Sequence, residues 1–241
     1  MEALVLRLEA PLMSFGGPMV DNYGVVQTFP AVSLLTGLIG NALGIDHREH
    51  ERLTRLQDRI RFAARLDRPG EPVMDYQTVD LGQEHMQGTG WTTWWEPEER
   101  GGGSAKEMTH IRYRHYRADA MVTIILVLDP AGEQPGLKEV AAAFESPTRP
   151  LFIGRKCCIP ATPILAGHIT APSFLEALRS APRVPGSTVK RPDAQWPIDE
   201  DALPGSRIVS LTDERDWVNQ IHAGERFVRQ GQIELAGEAH G

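Results

Sequence analysis

From Ala3 to Glu9 the chain alternates, with Leu4, Leu6 and Leu8 on one face and Ala3, Val5 and Arg7 on the other. That is the period of a strand. Gly16, Gly17 and Pro18 end it, and a polar loop with Asp21, Asn22 and Gly24 follows. After Pro30 the period changes. Leu34, Leu38 and Ala42 recur at a spacing of four, as do Leu35, Ile39 and Leu43, which predicts a helix with Ser33 as N-cap and Gly44 as its stop. His50 to Gln57 predicts a second short helix. Arg59 to Leu66, Val73 to Leu81 and Ala120 to Leu128 predict strands, Leu137 to Phe144 a helix, and Leu151 to Ile153 a last strand running into Gly154.

This order, β-α-β-β-(insert)-β-α-β, is the alternation of an α+β, ferredoxin-like (RRM-like) domain with both helices on one face of an antiparallel sheet. The insert, Gly82 to Met108, is unlike its surroundings: it holds Trp91, Trp94 and Trp95, an acidic patch and three successive glycines from Gly101 to Gly103. A loop of that length inside a compact domain is usually functional or disordered. Its tryptophans suit either core residues pinning a ribbon or exposed rings that stack on bases, and Trp94 is carried forward in the second role. Beyond Thr162 the chain is rich in Pro and Gly, with a short helix at Ser173 to Leu178 and weak strands at Arg207 to Leu211 and Arg226 to Leu235. The expected division is a domain over 1–165, with the insertion at about 80–112, and a small β-containing subdomain over 166–241.

Charge changes the picture by its distribution. The net value of −7 argues against a polyanionic partner. Yet residues 100–191 carry 13 basic and 7 acidic side chains, between flanks with 8 basic and 15 acidic and with 4 basic and 10 acidic. A basic middle suits a polyanion on one face and protein partners elsewhere; ordinary surface patchiness suits it equally on charge alone. The longest apolar run, Val122 to Leu128, is too short to cross a bilayer, and the acidic, alternating N-terminus is not a secretory signal. Cys157 and Cys158 are adjacent, so they staple no distant segments and lack metal-ligand spacing. A cytoplasmic location without a membrane is expected.

The stretch Thr109 to Arg117, THIRYRHYR, contains no acid. In a strand Arg112, Arg114 and Tyr116 project from one face and Tyr113, His115 and Arg117 from the other. Arginine takes phosphate in a bidentate fork and tyrosine offers a base a flat platform, so this stretch, with His110, is read as an RNA contact. A ribbon whose charges merely solvate it has the same pattern. Gly154, Arg155 and Lys156 form a second candidate: glycine lets a phosphate approach the backbone and two cations flank it. A plain surface turn accounts for that motif as well. Ser33, at a helix start, is a further phosphate candidate. Gly37 and Gly40 are read as packing glycines. The eight histidines lie in no zinc spacing and no nucleophile or phosphate-loop motif appears. No catalytic residue, metal or cofactor is expected.

Five blocks, Leu4 to Gly16, Phe29 to Ile45, Asp75 to Val79, Tyr113 to Asp119 and Phe152 to Cys157, resemble the CasD family, the RAMP-superfamily subunit of type I-E CRISPR Cascade complexes. They are similar to its first strand and turn, its glycine-spaced first helix, the two strands of a thumb-like hairpin and a glycine-rich loop. The likeness covers about residues 3–165, and the thumb is longer here. The resemblance implies a RAMP domain with a thumb hairpin. It also implies a non-catalytic subunit that holds the 5′ handle of the CRISPR RNA and caps the backbone filament in antiviral interference. The partners it implies are the backbone and large subunits, with target DNA met only indirectly. Carried onto this chain, handle contacts fall on Arg112, Arg114, Arg155 and Lys156, with Ser14 and Ser33 as lesser ones. The alternative is a metal-independent endoribonuclease that processes the RNA precursor, as in type I-C relatives, for which Lys106, His110, Tyr113 and His115 supply the residue types. A protein–protein scaffold is the third possibility.

Overall fold

The structure, a computed structural model, describes residues 1–17, 23–80, 90–91, 95–98 and 109–236. In chain order the elements begin with strands β1 (Glu2–Glu9), β2 (Leu12–Met13) and β3 (Tyr23–Gly24), then helices α1 (Val32–Ala42) and α2 (His50–Arg59). Strands β4 (Ile60–Arg68), β5 (Glu71–Asp80), β6 (Gly90–Trp91), β7 (Pro97–Glu98), β8 (Thr109–Ala118) and β9 (Met121–Leu128) follow. After helix α3 (Leu137–Glu145) come β10 (Leu165–Thr170) and helix α4 (Phe174–Ser180). The last strands are β11 (Asp193–Pro197), β12 (Arg207–Leu211), β13 (Glu214–Asp216), β14 (Ile221–Ala223) and β15 (Arg226–Gln232).

The main sheet has seven strands in the order β10-β1-β9-β4-β11-β15-β12, every neighbouring pair antiparallel. The alternation in β1 explains how it is covered. Leu4, Leu6 and Leu8 face a core built with Leu35 and Ile39 of α1, Leu53 and Leu56 of α2, and Val140 and Phe144 of α3. Ala3 and Val5 face a second core under α4, with Phe174, Leu178 and Trp196. The fold is thus mixed α and β, dominated by sheet, with helices on both faces.

Two expectations are corrected. Leu151 to Ile153 form no strand; the strand beside β1 is β10, whose alternation is masked by Ala, Gly and Thr. The boundary expected at 165/166 falls at the start of β10, and β11, β12 and β15 extend the same sheet. The stretch after 165 therefore shares its core with β1, β4 and β9. Two fully buried arginines brace these layers. Arg65 pairs with Asp67 and donates to the Leu178, Ala181 and Pro182 carbonyls at the end of α4. Arg59 donates to the carbonyls of Pro130, Glu133 and Pro135. No helix among the described residues is long and apolar enough to cross a membrane.

Candidate functional site

After β4 the chain turns at Pro69-Gly70 into a two-stranded ribbon. Gly70 has φ +65°, and a Cβ there would run into the Ala118 carbonyl, so the turn requires glycine. β5 and β8 pair from Glu71 opposite Ala118 to Asp80 opposite Thr109. β3 joins the other edge of β8 in parallel, Tyr23 beside Tyr113 and Gly24 beside Arg114. Because side chains alternate, the register sorts the ribbon into two faces. His110, Arg112, Arg114 and Tyr116 share one with Val73, Asp75, Gln77 and Val79. Tyr113, His115 and Arg117 share the other with Met74 and Tyr76.

The second face carries a row of three rings. Tyr23 stacks on Tyr113 with centroids 4.9 Å apart and planes 11° from parallel, and Tyr76 lies on the other side of Tyr113 at 5.5 Å. Tyr23 and Tyr76 are 50% and 53% exposed. Such rings, half open to water, are the type of surface on which unpaired bases stack. Tyr113 was legible as a candidate in sequence; Tyr23 and Tyr76 were not, because only register brings them beside it.

The first face is cationic at its outer end. Arg112 and Arg114 are exposed, and neither forms an ion pair among the described residues. Asp75 stands opposite Arg114, but its carboxylate takes the Gln77 amide at 2.5 Å. Toward its base the ribbon enters the core, where Tyr116 is only 5% exposed. Burial pushes the Tyr116 phenol above its usual pKa, and the Cys157 thiol 3.6 Å away adds to the shift. The Arg155 guanidinium lies 4.7 Å over the Tyr116 ring and donates to the His115 and Gly24 carbonyls at 2.8 and 3.2 Å. Tyr116, expected to face RNA, is thus a core residue, and Arg155 is a clamp joining β8 and β3. Arg117 donates to the Pro69 carbonyl at 2.8 Å. Lys156 is exposed and makes no hydrogen bond or ion pair among the described residues.

Gly154 has φ +96°, and a Cβ there would overlap the Ser14 carbonyl. Its lack of a side chain serves the chain's own close approach, not that of a phosphate. Ser14 itself is buried. Ser33 is likewise buried and is not the N-cap: α1 begins at Val32 after Ala31, which provides no side-chain cap. The cap arrives from the far end of the chain. Asp213 accepts from the Val32 amide through its carboxylate at 3.2 Å and from the Ser33 amide through its carbonyl at 3.1 Å. Arg226 holds that carboxylate with two donors. The anion expected at this helix start is already present as a side chain.

Ser14, Ser33, Gly154 and Arg155 nevertheless converge, lining one cleft of about 680 Å³ with Gly37 of α1 and with Arg215, Trp217 and His222 of the β13–β14 hairpin. Arg155 belongs both to this cleft and to the ribbon, so the cationic face leads directly into it. Gly37 and Gly40 both line the cleft, and Gly40 also packs, admitting Leu53 of α2. Trp94 and Lys106 lie outside the described residues. His110 is exposed, on the face opposite Tyr113 and His115, so it does not stand with them. Among the described residues no cluster of His, Cys, Asp and Glu is arranged to hold a metal ion.

Residues 3–229 match the family described as CRISPR-associated protein (Cas_Cas5). The CRISPR system Cascade subunit CasD of Escherichia coli (strain K12) is 29% identical over 178 residues, spanning 73% of this chain and 75% of its own. Among solved structures, a chain of a CRISPR RNA-guided surveillance complex superposes with a TM-score of 0.67 at 21% identity, covering 97% of this chain and 90% of that one. A Cas protein crystal structure superposes with a TM-score of 0.64 at 23% identity, covering 96% and 95%. At these identities the superpositions speak for the fold.

Proposed function

From the premise that this chain belongs to the CRISPR-associated Cas5 family and is a CasD-type Cascade subunit, we propose that it grips the 5′ handle of the CRISPR RNA without cutting it. The observation that carries the reading is the ribbon: two exposed arginines on one face with no ion pair among the described residues, a row of three tyrosines on the other, and a cationic path through Arg155 into a cleft. A single strand wrapped around it sets phosphates against Arg112, Arg114 and Lys156 and an unstacked base on the tyrosine row.

The finer fold assignment belongs to the same reading. Four strands, β1, β4, β9 and β10, stand in the spatial order fourth-first-third-second, and α1 and α3 cover one face, which supports a ferredoxin-like RAMP domain. The ribbon supports a thumb. Capping of the backbone filament and contact with the large subunit are proposed on the same kinship. The separation of His110 from Tyr113 and His115 favours binding over cleavage.

The test incubates the purified subunit, alone and with partner subunits, with labelled repeat RNA, with and without EDTA. Intact RNA retained in a salt-dependent manner is expected; cleavage establishes the nuclease, and no retention at low salt leaves the scaffold. Arg114→Ala should weaken retention without changing thermal stability and should lower the slope of log affinity against log salt by about 0.7 to 1. Retention equal to wild type would refute the assignment of Arg114.

A further inference from the structure

Cys157 and Cys158, the chain's two cysteines, are both free, and the handle-binding reading gives them no task. They close the turn that begins at Gly154. The Cys158 amide donates to the Arg155 carbonyl at 2.8 Å, and the Ile153 amide donates to the Cys158 carbonyl at 2.8 Å. The two sulfurs stand 4.0 Å apart in unlike surroundings. Cys157 is exposed and follows Arg155 and Lys156, whereas Cys158 is fully buried in the core that also holds Ile153 and Ile164. The Cys157 thiol donates to the Tyr116 phenol oxygen at 3.6 Å. Over that phenol ring lies Arg155, as it ties β8 to β3 through the His115 and Gly24 carbonyls. An exposed sulfur is thus linked by direct contacts, through Tyr116, to the clamp at the base of the ribbon.

We propose that Cys157 and Cys158 are a reversible oxidation site, closing into a disulfide under peroxide and thereby slackening the Arg155 clamp between β3 and β8. Exposure assigns the two roles: the accessible thiol in an electropositive setting meets the oxidant, and its buried neighbour resolves the product. The Cys157 sulfur attacks hydrogen peroxide; an S–O bond forms, the O–O bond breaks, and the thiol proton leaves with hydroxide as water. The Cys158 sulfur then attacks the Cys157 sulfenic acid. An S–S bond forms, the S–O bond breaks, and the Cys158 proton leaves with the hydroxyl as a second water. Two thiols are oxidised and one peroxide is reduced. Burial keeps Cys158 protonated and shields it from peroxide in solution, but a sulfur 4.0 Å away reacts at high effective concentration. Disulfides ordinarily join Cα atoms about 4.4–6.8 Å apart, whereas consecutive Cα atoms are about 3.8 Å apart. A bond between neighbours is therefore strained and readily reduced by a dithiol, which suits a reversible mark. Bonding brings the sulfurs to about 2 Å. Cys158 is fixed in the core, so Cys157 makes most of the movement, leaving Tyr116 and deforming the turn that positions Arg155. The effect on guide RNA rests on the handle-binding reading; the chemistry of the pair does not.

The test treats the full chain with hydrogen peroxide and then with dithiothreitol, and follows the tryptic peptide 157–179, which holds both cysteines and no methionine. In wild type this peptide should lose two hydrogens, with both thiols becoming unreactive, and dithiothreitol should restore them. Cys157→Ser should leave Cys158 reduced. Cys158→Ala should leave Cys157 carrying oxygen or bridged to a second chain. A wild-type peptide that gains oxygen, or chains cross-linked through Cys157 while Cys158 stays free, overturns the site. Amide exchange of Tyr23 and Gly24 should quicken in the disulfide form and recover on reduction; unchanged exchange overturns the link to the clamp. Retention of repeat RNA should fall about two- to ten-fold on oxidation, the scale of one hydrogen bond, and Cys157→Ser should retain RNA equally with and without peroxide. An equal fall in Cys157→Ser would assign the loss to other residues and refute the role of the pair. If the reduced protein retains no RNA, handle binding falls, and the peptide mass and β3 exchange still decide the oxidation site.

Discussion

The Asp213→Ala variant isolates how the entrance of α1 is held. Asp213, 8% exposed, accepts from the Val32 amide through its carboxylate at 3.2 Å and pairs with Arg226, whose guanidinium lies 4.9 Å over the Phe62 ring. Alanine keeps the backbone carbonyl, so the bond from the Ser33 amide survives. Two contributions are lost. A side-chain cap is worth about 1 kcal/mol, and stranding a mostly buried guanidinium costs about 2 kcal/mol. Together they predict a loss of about 3 kcal/mol, which for a chain of this size lowers Tm by about 6–12 °C. Asp213→Asn keeps an acceptor for Val32 but loses the ionic half, so it should fall between. Reversible urea unfolding, with the midpoint compared at constant m, measures the series. A wild-type midpoint for Asp213→Ala, or equal losses for Ala and Asn, would refute the argument.

Gly154→Ala combines a left-handed backbone with overlap of the Ser14 carbonyl and should cost at least about 2 kcal/mol in the same assay; a loss below about 0.5 kcal/mol would contradict the geometry. Tyr113→Phe should retain guide RNA nearly as wild type, whereas Tyr113→Ala removes the middle ring of the row and should weaken binding by about 1–3 kcal/mol. Equal behaviour of the two would remove stacking from the account. Iodoacetamide at pH 8 should modify native protein once, at exposed Cys157, because burial pushes the Cys158 thiol up to about 11 and leaves almost no thiolate. Mass spectrometry showing both thiols modified at similar rates would count against this.

The elements that declare themselves in sequence are those whose stability is local. The alternation of β1, the spacing of α1 and the run of β9 each carry their own period, and Gly44, with φ +77°, ends its helix as its position implied. What was illegible depends on distance along the chain. No local pattern could show that Val32 is capped by a residue 181 positions later, so Ser33 looked like the cap. Tyr116 and Arg114 occupy equivalent positions in an alternating strand, yet one lies in the core and the other in water, because the ribbon's base alone meets the body of the protein. Tyr23 and Tyr76 became site residues only through register. Arg215 and His222 had no signal beyond their residue types, since the cleft they line is closed by α1 and by the loop around Gly154.

The sheet has a consequence for how the protein comes into being. Its strands are not assembled in the order in which they are made: β4, synthesised early, waits for β11, and β15 must thread between β11 and the late β12. A nascent chain paused before residue 193 holds an open edge at β4, and one paused between β11 and β15 holds an open edge at β11. Ribosome stalling, or a premature stop between β11 and β15, should therefore yield an aggregation-prone fragment in place of a trimmed but working subunit.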